Sequence, residues 1–125
     1  MSWISGNSQA NDTFMDLRDE IEELNLSLHQ AIKLSLKHSN LLVRDMILEG
    51  LDVSHHYQNN CEMYVATVLY FKEKNSTVPE AYRIRAFQKA YYLLNNKDYF
   101  ARFSQDFAQE RKEALLREIE TLSMV

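Results

Sequence analysis

The sequence predicts an all-α fold, a compact helical bundle or orthogonal array of four to six helices, and three observations lead to this class. Two glycines and one proline in 125 residues leave little material for tight hairpins. Apolar residues recur every three or four positions along most of the chain. With 46% hydrophobic residues, the chain can bury one modest core. We therefore predict a single helical domain over residues 12–125, preceded by a flexible arm over residues 1–11.

The first predicted helix follows the polar arm, in which Trp3 and Ile4 are the only possible apolar anchors. From Thr13 onward, apolar residues step by three and four along one narrow seam, which predicts a helix of about 26 residues. Acidic residues occupy the opposite side of this helix. The seam consists of Phe14, Leu17, Ile21, Leu24, Leu28 and Ala31.

A narrow apolar seam on a long acidic helix is typical of pairing with another helix, in the same chain or in a second copy. Self-association would cover apolar length that a small bundle leaves open, whereas ordinary packing inside the monomer is the alternative. The candidate partner-binding residues are Phe14, Leu17, Ile21, Leu24 and Leu28.

Short breaks divide the middle of the chain. Ser39-Asn40 is predicted to interrupt or end the first helix, and a short helix over residues 41–49 is predicted to end at Gly50 in the left-handed conformation. A third helix is predicted from about Ser54 to residue 74, with Asn75-Ser76 at its end. Its apolar stripe contains Tyr57, Cys61, Tyr64, Val68 and Phe71.

The last two predicted helices lie in the carboxyl-terminal half. Thr77 and Glu80 have the spacing of a capping box, which predicts a helix over residues 80–94 that Asn95-Asn96 ends. A final helical region begins near Asp98 and is expected to bend at the charged run over residues 110–113.

The helix over residues 80–94, EAYRIRAFQKAYYLL, has two apolar sides and a third side of alternating rings and cations. Two apolar sides predict a central position in the bundle. The net charge of the chain is −4, yet residues 72–102 carry 7 basic and 3 acidic residues. The third side is therefore either a solvated face or a surface for an anionic partner. The candidate phosphate-binding residues are Tyr82, Arg83, Arg85, Lys89, Tyr92 and Lys97.

AYRIRAFQKA, at residues 81–90, resembles a helix in the amino-terminal lyase domain of X-family DNA polymerases. Residues 59–75 and 114–122 are similar to two further helices of that domain. The resemblance implies a small helical unit that binds a 5′-phosphate at a DNA gap. The family's glycine-rich hairpin is replaced here by DFAQERKEA, and Leu116, Arg117 and Glu118 lie where a Schiff-base lysine is expected. We therefore expect no lyase activity.

No other constellation in the sequence predicts catalysis or a cofactor. Cys61 lies on an apolar stripe, which favours a buried core thiol over a nucleophile. The four histidines lack the spacing of a metal site, and Asp52 with His55 supplies one of the two acid-x-x-His pairs that a di-iron bundle needs. A single cysteine, no secretory signal and no long apolar run predict a soluble intracellular protein, cytoplasmic or nuclear, without a membrane partner.

Together these patterns predict a non-catalytic, all-helical binding module, acting as an adaptor, regulator or structural subunit. We expect it to act through protein–protein contacts, to form homo-oligomers and to need no cofactor or metal. The alternative is a nucleic-acid-binding domain that holds phosphates through the basic aromatic helix at residues 80–97.

Overall fold

The computed structural model describes residue 3 and residues 5–53, 55–74 and 76–123, and it confirms the all-α fold class. A short 3-10 helix over Ser8–Ala10 comes first. This part of the chain has six α-helices and no β-strand. The helices are α1 (Asp12–Leu24), α2 (Leu28–Leu48), α3 (His56–Glu73), α4 (Glu80–Leu94), α5 (Lys97–Ala101) and α6 (Gln105–Ser123).

The central helix is α3, because every residue from 61 to 71 is buried. The helices α1, α2 and α4 and the 3-10 helix all pack against α3, and α6 packs against the outer side of α4. The sequence instead predicts the central position for α4, and this prediction is wrong. Of the residues of α4, Ala86, Ala90 and Leu93 are buried, whereas Ile84 and Tyr91 on the second apolar side are exposed. Alanines at the contact let α4 lie close to α3.

The long first helix that the seam predicts is in fact two helices. Asn25 adopts the left-handed conformation at φ 50° and ends α1. Ser27 then begins α2 through a capping box: its hydroxyl accepts the N–H of Gln30 at 3.2 Å, and Gln30 Oε1 accepts the N–H of Ser27 at 2.9 Å. The predicted break at residues 39–40 is absent, since α2 continues through both residues.

The other helix boundaries are a mixture of confirmed and wrong predictions. Gly50 follows α2 at φ 74°, as predicted. The predicted capping box at Thr77 does not form, because Pro79 occupies the cap position without a side-chain bond. The final region breaks between α5 and α6, and the charged run over residues 110–113 continues as helix. The predicted boundaries at Ser54 and Asn75 lie outside the described residues.

The segment that precedes α1 packs against the domain, which contradicts the prediction of a flexible arm over residues 1–11. Gly6, Ser8 and Asn11 are buried, and Asn11 caps α1 by accepting the N–H of Thr13 at 2.8 Å. Trp3 pairs with Asn11 in an isolated antiparallel bridge. Met1, Ser2 and Ile4, the last of which the sequence suggests as an anchor, lie outside the described residues.

A buried polar cluster lies beneath this segment. The guanidinium of Arg111 is fully buried and donates to Tyr99 Oη at 2.9 Å and to Glu118 Oε1 at 3.1 Å. Glu62 of α3 accepts a hydrogen bond from Asn11 Nδ2 at 2.9 Å. Burial raises the pKa of both the Glu62 carboxyl and the Tyr99 hydroxyl. The cost of removing both charges from water offsets much of the attraction in a buried ion pair of this kind.

Candidate interaction surface

The second half of α2 carries the largest group of exposed apolar side chains in the described part of the chain. The buried residues of α2 all lie between Leu28 and Ser35, and none is buried from residue 36 to residue 51. The exposed residues, which we call the distal α2 surface, are Leu36, Leu41, Leu42, Ile47, Leu48 and Leu51. They are half of all large apolar residues exposed in the described chain, and Leu48 is 77% exposed.

This exposure arises because α2 extends beyond the helix that covers it. The hydroxyl of Ser39 contacts Asn60 Oδ1, near the start of α3 at His56. Only one turn of α3 lies beyond that contact, whereas α2 continues from Ser39 to Leu48 for about 13 Å at 1.5 Å per residue. The apolar residues beyond Ser39 therefore have no helix of the same domain against them along most of their length.

The distal α2 surface surrounds the helix instead of forming one stripe. His29 contacts Tyr82 of α4. Leu36 and Ile47 follow His29 by seven and eighteen residues, which is about two and five helical turns, so both lie on the same side of α2, toward α4. At 3.6 residues per turn, Leu42 lies on the side toward α3, whereas Leu41 and Leu48 point away from the domain. A helix that is apolar on all sides is normally buried. The exposed apolar residues of this segment thus point in several directions, with charged residues between them.

Leu41 and Leu48, seven residues apart, form a ridge with opposite charges on its two sides. Lys37 and Arg44 lie on one side of the ridge, and Asp45 and Glu49 lie on the other. Arg44 Nε and Asp45 Oδ1 are 3.9 Å apart, and both side chains are about two-thirds exposed. Such a pair contributes little to the stability of the monomer, so these charges remain able to bind a partner.

The seam that the sequence suggests for partner binding lies mostly inside the domain. Phe14, Leu17, Ile21 and Leu28 are buried in the core of the monomer, which is the alternative that the sequence leaves open. Leu24 alone among the five candidates is exposed, at 62%, because the helix ends at Asn25. The seam therefore cannot bind a partner as a continuous surface.

The basic aromatic side of α4 is partly used within the domain. Arg83 Nη1 donates to the carbonyl of Leu122 at 2.8 Å and so ties the start of α4 to the end of α6. Tyr82 contacts His29. Arg85 is exposed, and Lys97 is exposed at the first residue of α5, beyond the end of α4. The predicted phosphate-binding residues therefore do not form one continuous set.

The remaining part of this side is a small cluster of rings around Lys89. Its Nζ lies 5.2 Å from the ring centroid of Tyr57 and 5.3 Å from that of Tyr64. Tyr57 and Tyr92 meet edge to face, with centroids 4.9 Å apart, and are 50% and 40% exposed. The cluster offers two accessible rings beside a cation.

Cys61 is fully buried, which confirms the prediction of a core thiol. Burial raises the pKa of this thiol, against the opposing effect of nearby Lys89. A protonated, inaccessible thiol is a poor nucleophile. Among the described residues, no group of three or more His, Cys, Asp and Glu side chains is arranged to hold a metal ion.

The sequence pattern does not predict the distal α2 surface, because it predicts a break at residues 39–40 and a short separate helix over residues 41–49. The run LLVRDMILEGL, at residues 41–51, is the signal that could have identified it, since its apolar residues fit no single stripe. None of the helices in the described ranges is both long and apolar enough to cross a bilayer. Comparison of the chain with models of protein families, with curated proteins and with solved structures gives no match.

Proposed function

We propose that this protein is a non-catalytic, all-helical interaction module that self-associates through the distal α2 surface. The observation that supports this proposal is the exposure of all six large apolar side chains of that surface, five on the protruding helix and Leu51 just beyond its end. Contiguous apolar surface of this kind marks sites where proteins bind each other, because its burial removes apolar area from water. A second copy of the chain is the partner that the charges favour.

The charges beside the ridge favour a parallel, two-fold arrangement of two α2 helices. In such a pair, Leu41 and Leu48 of both copies pack against each other. The two-fold axis then brings the basic side of one helix, with Lys37 and Arg44, next to the acidic side of the other, with Asp45 and Glu49. An antiparallel pair would instead place like charges together.

The test is the mass of the protein in solution as a function of concentration, measured by light scattering and by sedimentation. We expect the wild-type chain to pass from monomer to dimer as concentration rises. The variant Leu41→Glu/Leu48→Glu should remain a monomer, because its ridge would bury four carboxylates in the dimer.

The matched control is Leu24→Glu/Leu116→Glu, which adds the same charge at exposed leucines on α1 and α6. We expect this control to associate as the wild type does. A wild-type mass that stays monomeric up to millimolar concentration contradicts self-association. Equal dimer formation by both double variants contradicts the assignment to α2.

The second candidate function is nucleic-acid binding, and the accessible pair Tyr57–Tyr92 beside Lys89 is the observation that favours it. Aromatic rings next to cations stack bases and bind the phosphate backbone. The expected result is binding of a labelled single-stranded oligonucleotide that weakens steeply with salt and is reduced in Tyr92→Ala. The control is Tyr91→Ala, which removes an exposed ring outside the cluster. Absence of binding at low salt contradicts this function.

A further inference from the structure

The segment from Trp3 to Ser8 is held by contacts that differ in kind from those of the core. The apolar core of the domain, from Phe14 to Leu122, contains neither Trp3 nor any of residues 5–8. The segment is held instead by hydrogen bonds and ring contacts from α6 and from the residues just before it. The hydrogen bonds that join Gly6 and Ser8 to Glu110, Arg111 and Glu118 connect residues more than one hundred positions apart along the chain.

Both backbone polar groups of Gly6 form hydrogen bonds with side chains of α6. Its N–H donates to Glu110 Oε1 at 3.1 Å, and its carbonyl accepts from Arg111 Nη1 at 2.9 Å. A Cβ at this position would stand 2.7 Å from the carbonyl oxygen of Glu110. Because that oxygen belongs to the backbone of α6, the site admits glycine and excludes larger residues.

Ser8 and Trp3 provide the other two recognition points. The N–H and the hydroxyl of Ser8 both donate to the carboxylate of Glu118, at 3.0 Å and 2.8 Å. The Trp3 ring centroid lies 5.0 Å from the guanidinium carbon of Arg111. The same ring meets Phe103 edge to face at 6.0 Å and lies 5.5 Å from Phe107.

These contacts have the chemistry of peptide recognition. The indole packs among aromatic rings and a cation, the glycine lies where two backbones approach closely, and the serine binds a carboxylate. Together these three contacts are specific for the sequence pattern Trp-x-x-Gly-x-Ser. The fully buried guanidinium of Arg111 fits the same role, since a buried charge that binds a ligand backbone confers specificity. The site thus contacts its ligand at three points, at Trp3, at Gly6 and at Ser8, the first residue of the 3-10 helix.

We infer that the cleft formed by Phe103, Phe107, Glu110, Arg111 and Glu118 is a peptide-recognition site. Trp3 and residues 5–8 are its resident ligand, and the cleft accepts the same segment from a second copy of the chain when the resident segment is displaced. This inference goes beyond the distal α2 surface and does not depend on it, because the two sites share no residue.

The experiment uses the full chain with Gly6→Ala, in which the added Cβ expels the resident segment. Trp3 is the one tryptophan of the chain, so its emission and its quenching by acrylamide report the segment directly. We expect Trp3 to become solvent-exposed while the helix content by circular dichroism stays unchanged. A labelled peptide with the sequence of residues 1–10 is then titrated into both proteins and followed by fluorescence anisotropy.

We expect the peptide to bind the Gly6→Ala protein and to bind the wild type at least about tenfold more weakly, because the tethered segment competes at high effective concentration. A peptide that itself carries Gly6→Ala should not bind, and one with Ser8→Ala should bind several-fold more weakly.

Three results would overturn the inference. Trp3 could remain as shielded in Gly6→Ala as in the wild type, or the peptide could fail to distinguish the two proteins. A loss of helix content in both Gly6→Ala and the second variant, Trp3→Ala, would make the segment an inseparable part of the folded domain. If either Gly6→Ala or Trp3→Ala keeps its helix content, the peptide titration with that variant decides whether the cleft binds the peptide.

Discussion

The helix α3 and the second half of α2 both carry large apolar residues in several directions, but their environments are opposite. Every residue from 61 to 71 is buried, and none from 36 to 51 is. The difference is one of neighbours: α3 has α1, α2 and α4 around it, whereas α2 extends past the first turn of α3. Apolar composition therefore indicates that a helix has side chains to bury, and the arrangement of neighbouring helices decides whether they are buried within the monomer.

The largest effect expected from this comparison follows from placing one carboxylate in each region. Val65→Asp puts a charge at a fully buried position of α3 and should cost more than about 4 kcal/mol, enough to unfold the domain. Leu48→Asp puts the same charge at an exposed position of α2 and should change stability by less than about 0.5 kcal/mol. Urea unfolding followed by circular dichroism measures both values.

A charge exchange on the ridge is expected to have the next largest effect. Lys37→Glu/Arg44→Glu makes both sides of the ridge acidic, and Asp45→Lys/Glu49→Lys makes both sides basic. Each variant should repel itself and remain monomeric, whereas an equimolar mixture should form heterodimers by the parallel pairing. Light scattering of the separate and mixed proteins, at low and high salt, provides the measurement.

Association of either variant alone would argue against the parallel pairing. The mixture is the internal control, because each protein in it is unchanged from the separate measurement. Salt should weaken the heterodimer, since the exchanged charges lie at the rim of the contact.

A smaller effect is expected where α2 begins. Ser27→Ala removes the hydroxyl that accepts the N–H of Gln30 and should cost about 1 kcal/mol in the free energy of unfolding. Ser39→Ala is the control, a serine inside α2 that the sequence pattern assigned to a break. Because alanine favours a helix interior, this control should retain the full helix content. A gain of helix in Ser39→Ala would instead support the break predicted there.

The smallest effect concerns the pH dependence of stability at Glu62 of α3. Burial raises the pKa of this carboxyl above its ordinary value of 4.5, so the folded state holds a proton that the unfolded chain has already lost. The contribution of Glu62 to stability is therefore greatest at low pH and falls as pH rises through the folded pKa. Glu62→Gln cannot ionise and should lack this fall. The measurement is the urea midpoint of the wild type, of Glu62→Gln and of the exposed control Glu113→Gln over a series of pH values. The same change of midpoint with pH in all three proteins would contradict the prediction.

Local patterns predicted the fold class and several elements of the structure correctly. The bounds of α4 at Glu80 and Leu94, the glycine end of α2 and the buried thiol of Cys61 all agree with the sequence. Each of these features depends on spacing or on conformational preferences within a few residues. The helix break at Asn25 was also present locally as a serine-glutamine capping pair, but an unbroken apolar seam concealed it.

Other features depend on contacts between distant residues, and the sequence did not predict them. The identity of the central helix depends on which elements surround it, so α4 was chosen where α3 holds the position. Polar composition predicted a flexible arm, yet Gly6 and Ser8 are fixed by Glu110 and Glu118 of α6. The distal α2 surface became visible only when the length of α2 could be compared with that of α3.

The burial of Cys61 has a practical consequence. The single thiol of the chain is buried between α3 and the helices packed against it, and it is shielded from alkylating and oxidising reagents. Formation of intermolecular disulfides in air should therefore be slow. A cysteine introduced at an exposed site would then be the one position that takes up a maleimide dye. Fluorescent or spin labels can thus be attached at single positions of α2 without first replacing Cys61.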